Sequence, residues 1–129
     1  MIPLFQTRFG KIHGNCYQAC LASILELPLV DVPDFCNQYI NEEWLTEVIK
    51  WTQETCDLSY ISVDWTKTAE IWLKDCWHIM NGKSPRGNFV HSVVGYSGKM
   101  VHDPYPSGDG LETIDNVDIF IAKNPASYV

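Results

Sequence analysis

The chain predicts an α+β fold, with an N-terminal helical half packed on a C-terminal antiparallel β-sheet. Three observations carry that reading. Apolar and small residues recur at helical spacing from Cys16 to Leu27. A second amphipathic run, "NEEWLTEVIKWTQETC", spans 41–56. Beyond it the pattern changes to short β-rich runs divided by Gly, Pro and Ser. Helices first and strands after is the order of an α+β domain, not of alternating βαβ units. The 129 residues suit one domain covering 1–129 with one ordinary core.

Each element has a local reason. Residues 1–12 read as extended or loop, broken by Pro3 and Gly10. Asn15 is an N-cap residue type, which makes Cys16 the first helical position. Cys16, Ala19, Cys20, Ala22 and Ser23 then share one face, and Pro28 stops the helix. "LVDVPDF" leads into a short helical piece around Asp34–Tyr39. In the next helix Asn41 can cap, and Glu42 and Glu43 favour the positive end. Its inner stripe is Trp44, Leu45, Val48, Ile49 and Thr52. "LSYISVDW" alternates as a strand, and "TAEIWLKDC" is ambiguous, with a short helix as one reading. "CWHIMNG", "NFVHSVVGY", "KMVHDP" and "VDIFIAK" supply the remaining strands.

Composition excludes several functions. The net charge is −7, which opposes binding to a phosphate backbone or an anionic lipid surface. No stretch approaches the roughly 18 consecutive apolar residues of a membrane span. The five cysteines (Cys16, Cys20, Cys36, Cys56 and Cys76) are an odd number, and no positive leader precedes an apolar region. Reduced thiols and a cytoplasmic location are therefore expected, in the host cytoplasm if the chain is phage-encoded. No C-x-x-C pair and no H-x₃-H follow the spacing of zinc ligands, so neither a metal nor another cofactor is expected.

The chemistry concentrates on one cysteine. A thiolate is the useful nucleophile, and the unpaired N–H groups at a helix N-terminus favour negative charge there. Cys16 holds that place, whereas Cys20 lies one turn inside the helix. A general base must come from His13, His78, His91 or His102. His91 lies on a strand that enters the hairpin "VVGYSGKMV". A three-residue loop, Tyr96-Ser97-Gly98, would place His91 directly opposite Asp103, on the same face. Such a carboxylate fixes the tautomer and orientation of the imidazole. A two-residue loop, Ser97-Gly98, would send Asp103 to the other face. In the three-residue register His102 would face Ser92, away from His91.

A helix-opening cysteine, a distant strand histidine and an Asp shortly after it form a familiar order. "FQTRFGKIHGNCYQACLASILELPLVDVPDF" and "SPRGNFVHSVVGYSGKMVHDPYPSGDGL" resemble the papain-like cysteine peptidases. The likeness is nearest to the small C39-like and phage-encoded cysteine hydrolases. Those carry an upstream Gln, a "G-N/D-C…AC" helix and a later "HAVVG…G…VHDP" hairpin. The resemblance covers both ends of the chain, about half its length, and leaves 40–80 unmatched. It implies a papain-like fold, with Cys16 as nucleophile, His91 as general base and acid, and Asp103 as the orienting residue. It also implies an oxyanion hole from the Gln6 side chain and the Cys16 backbone N–H, with "GKIHGN" looped out between them. His13, Asn15, Arg86 and Tyr105 lie where they would contact substrate.

Two functions compete. The first is a thiol hydrolase that opens a peptide, isopeptide or related amide through an acyl-enzyme, with a protein or peptide as substrate. Amidase, transglutaminase and thioesterase chemistry use the same route. The second is a binding module that sequesters a host protein or small molecule in the same cleft. Five Trp and six Tyr suit such a surface. A pure binder, however, has no need of Cys16, His91 and Asp103 together.

Overall fold

A computed structural model describes residues 1–39, 43–124 and 126 of the chain. The helical part comes first: α1 (Cys16–Leu25), a 3₁₀ turn (Leu29–Asp31), α2 (Phe35–Gln38) and α3 (Glu43–Thr55). Then follow β1 (Leu58–Asp64), α4 (Ala69–Trp72), β2 (Trp77–Lys83), β3 (Val90–Tyr96), β4 (Lys99–His102) and β5 (Thr113–Ala122). The strands form one antiparallel sheet in the order β1-β5-β2-β3-β4. This is the α+β layout the element order predicts. "TAEIWLKDC" resolves as the short helix α4.

The core lies on both faces of the sheet, because β2 and β3 are covered on both sides. Ile79 and Val94 pack with Cys20, Leu21 and Ala22 of α1 and with Val32, Phe35 and Val48. On the other face Met80, Val93 and Val117 pack with Ala69 and Leu73 around α4. Central strands covered this way lose the simple in–out alternation of a half-solvated sheet. His78 is wholly buried and pairs with Gly95 across the ladder. A Cβ on Gly95 would collide with the His78 ring, so the glycine makes room for it.

α1 ends earlier than its apolar spacing suggests. Glu26 takes a left-handed conformation (φ 56°) and donates its N–H to the Ala22 carbonyl. Within α3 only Val48 and Thr52 are fully buried, while Ile49 stays 37% exposed. The expected cap at Asn41 and the acidic Glu42 lie outside the described residues. Among the described residues no helix is long and apolar enough to cross a membrane.

The first residues strap onto α1. Ile2 donates its N–H to the Ser23 carbonyl (3.0 Å), and Leu4 donates to Ser23 Oγ (2.9 Å). Leu4 O meets His102 Nε2 at 2.6 Å, and Gln6 N–H donates to Pro104 O at 3.0 Å. The strap therefore joins α1, at Ser23 near its C-terminal end, to the end of β4, next to Asp103.

Candidate active site

Cys16 opens α1 at the edge of a cleft between the helical part and the sheet. The N–H groups of the first turn have no partner within the helix. Asn15 stands at the N-cap position, and its carbonyl accepts the first helical bond from Ala19 (3.1 Å). Its side chain does not cap, contrary to expectation. Asn15 Oδ1 instead accepts from Thr7 N–H (3.0 Å) and Arg8 N–H (2.9 Å), and its Nδ2 donates to Thr7 Oγ1 and Gln18 Oε1. The first N–H groups of α1 are thus left without a side-chain cap.

His91 and Asp103 meet by a route the sequence reading did not take. β3 and β4 pair as Tyr96↔Lys99 and Gly95↔Met100, so the turn is the two residues Ser97-Gly98. Both have positive φ (54° and 82°), the requirement of a type I′ hairpin turn. The three-residue loop is not formed, and His102 pairs with Val94, not with Ser92. The two-residue turn alone would put Asp103 on the wrong face. A bulge between Val94 and Gly95 adds one residue on the β4 side and restores the parity. Asp103, one residue past the ladder, returns to the face of His91, and His91 Nε2 lies 2.8 Å from Asp103 Oδ1.

Asp103 is held from three directions. Tyr105 N–H donates to Oδ1 (2.9 Å) and Gly110 N–H donates to Oδ2 (2.8 Å), so the "DPYPSGDG" loop folds back onto the carboxylate. Burial works against its charge, but the bonds from His91, Tyr105 and Gly110 outweigh it and hold the carboxyl below its usual range. Burial likewise works against a charged His91. Hydrogen bonds to Asp103 and to the Cys16 sulfur, and the charges of both, more than offset it and raise the imidazole to about 9. With Nε2 engaged by Asp103, Nδ1 is the nitrogen left for Cys16. The other thiols are all pushed up, first by burial: Cys36 to about 12, Cys20 well above its ordinary value, Cys56 and Cys76 less.

Gln6 reaches the same cleft. "GKIHGN" closes as a loop, with Gly14 N–H donating to Gly10 O (3.1 Å) and Asn15 N–H to Arg8 O (3.4 Å). Gln6 and Cys16 then line one narrow arm with His91, Arg86 and Tyr105. Gln6 Nε2 donates one hydrogen to Arg8 O (2.9 Å), which fixes the amide plane and leaves its second N–H. α2 braces this loop from outside, where Asn37 Nδ2 donates to Asp34 Oδ2 (2.8 Å) and Gly14 O (3.3 Å), and Arg8 pairs with Asp34. Tyr105 stands edge-on to the His91 ring, with centroids 6.4 Å apart. Asn15 and His13 do not line this arm: Asn15 is buried behind it, and His13 lies on an exposed turn.

A second, wider pocket of about 410 Å³ opens on the other side of Cys16, within the range of ligand pockets. Trp44, Leu45, Ile49 and Val90 give it apolar walls, which explains why part of the α3 stripe is not core. At its floor Asp118 is 1% exposed and accepts from Tyr17, Tyr60, Asn81 and Asn116. Cys36 lies on the lip shared by both spaces. The sequence reading did not single out Cys36 or Asp118 for this cleft. Only the β1, β2 and β5 pairings bring Tyr60, Asn81 and Asp118 together, and no local motif signals it. Among the described residues no group of three His, Cys, Asp or Glu side chains converges as metal ligands would. No protein-family model, curated protein or solved structure matches the chain.

Proposed function

We propose that the chain is a papain-like thiol hydrolase that opens an amide bond through an acyl-enzyme. The observation that carries this reading is the buried His91–Asp103 pair, 2.8 Å apart, whose imidazole lines the same narrow arm as Cys16 at the start of α1. A nucleophile, a base and an orienter in hydrogen-bonded series are what acyl transfer needs. The raised His91 supplies a protonated imidazole at neutral pH.

The Cys16 sulfur attacks the carbonyl carbon and forms an S–C bond. The developing oxyanion sits between the Cys16 backbone N–H and the Gln6 side-chain N–H. As the C–N bond breaks, imidazolium of His91 gives its proton to the leaving amine. A water then attacks the thioester while His91 takes its proton, and the S–C bond breaks to restore Cys16. The free acid and free amine are the products, and the wide pocket accommodates an apolar acyl half.

Alkylation by iodoacetamide, read site by site by mass spectrometry, tests this directly. Cys16 should react at least tenfold faster than the other four cysteines at pH 7, and His91→Ala should slow it at least tenfold. Uniformly slow reaction of all five thiols would overturn the hydrolase and leave a binding module in its place.

A further inference from the structure

The arm of the cleft that holds Cys16, His91 and Gln6 also holds the Arg86 guanidinium. The other arginine, Arg8, pairs with Asp34. Arg86 pairs with no carboxylate among the described residues. Its side chain lies over the Tyr105 ring, Cζ 3.5 Å from the centroid, and Nη1 is buried with no acceptor. Its backbone is fixed as well, with N–H donating to Ser84 Oγ at 3.1 Å. A guanidinium oriented by a ring and short of an acceptor is costly to leave so, because an unmade bond to a buried charged group is not returned elsewhere. Lys11 lines the same arm, so the local field is positive although the chain carries −7.

Chemistry says which half of a substrate enters this arm. His91 must protonate the leaving amine, so the leaving half lies beside His91. His91 lines this arm and not the wide apolar pocket. The arm is small, about 150 Å³, against roughly 300–1,000 Å³ for a typical ligand pocket. It takes a short polar unit. We propose that Arg86 binds a carboxylate carried by the first residue of the leaving half of the substrate. The inference rests on the hydrolase reading and adds the chemistry of the substrate. Arg suits the role, since its planar fork matches a carboxylate with two parallel bonds. The carboxylate can be the main-chain terminus of that residue or an acidic side chain.

Iodoacetate and iodoacetamide separate this from the hydrolase reading. Both form an S–CH₂ bond as iodide leaves, and they differ in a carboxylate against a neutral amide. In the full folded chain the iodoacetate-to-iodoacetamide rate ratio at Cys16 should exceed that of the urea-unfolded chain. Arg86→Met should lower that ratio about tenfold or more, the size of a lost charge-assisted bond. Arg86→Lys, which keeps the charge without the fork, should give an intermediate ratio and guards against a misfolded Met variant. A ratio unmoved in both variants overturns the carboxylate site while the hydrolase stands. No iodoacetamide preference for Cys16 overturns both. Protection of Cys16 by acetyl-Leu-Gly, its C-terminal amide and acetyl-Leu-Asp-amide then names the source. The free acid alone protecting points to a chain terminus, and the Asp compound alone points to a side chain. Equal protection by the neutral amide overturns the inference.

Discussion

Asp103 and His91 illustrate how a buried charge is kept. A carboxylate 1% exposed at the side chain would be penalised if left alone. Two backbone N–H donors and an imidazolium remove that penalty, and the same contacts hold the ring in one orientation. Asp103→Asn should therefore act on the imidazole before it acts on the fold. With the carboxylate charge gone, burial becomes the dominant influence on His91, and the imidazole should titrate well below about 9. Histidine ring signals followed by NMR across pH 5–10 read this. Amide hydrolysis, once a substrate is found, should fall by about 10²–10⁴, the worth of a positioned general acid and base. A His91 titration unchanged in Asp103→Asn would separate the carboxylate from the chemistry.

At the scale of elements, the strap and the loop before α1 do more than their sequence suggests. Asn15 is a helix-capping residue type, yet its side chain is turned away from the helix and ties down Thr7 and Arg8. Gln6 depends on that tie, since its own amide leans on Arg8 O. Asn15→Ala should cost about 1–3 kcal/mol in denaturant unfolding. It should also erase most of the rate effect of Gln6→Ala, so the two variants couple in a double-mutant cycle. Additive effects would mean that Gln6 is held without Asn15. The β3–β4 hairpin gives the complementary lesson. The sequence reading brought His91 to Asp103 only through a three-residue loop that does not form, and through the family resemblance. The actual route was not legible, because a bulge leaves no residue signature of its own and here offsets a two-residue turn. The order of helices and strands was legible because periodicity survives in single elements. The wide pocket was not, because Tyr60, Asn81 and Asp118 are brought together only by the order of strands in the sheet, and Tyr17 joins them from α1.

For the whole molecule, two buried histidines set opposite limits on stability. His78 is buried with only the Cys76 carbonyl at Nδ1, and burial lowers its pKa despite that bond. His91 is raised to about 9. Below about pH 6.5, the unfolded chain protonates residue 78 while the folded chain resists, so stability falls as the pH drops. His91 is charged in both states below about 6.5, where its contribution is present in full. Between about 6.5 and 9 the folded chain keeps a proton that the unfolded chain has released, so stability declines with rising pH and this contribution is gone above 9. Each limb has a slope of at most about 1.4 kcal/mol per pH unit for one proton. The melting temperature should thus peak near pH 6.5. His91→Gln should flatten the alkaline limb between pH 6.5 and 9 and leave the acid limb in place. His78→Gln should flatten the acid limb. A His91→Gln protein whose melting temperature still falls as steeply between pH 6.5 and 9 would show that the imidazolium does not support the fold. The thiols of Cys20, Cys36, Cys56 and Cys76, all raised by burial, add a separate loss only above about pH 8.5, where the unfolded thiols ionise.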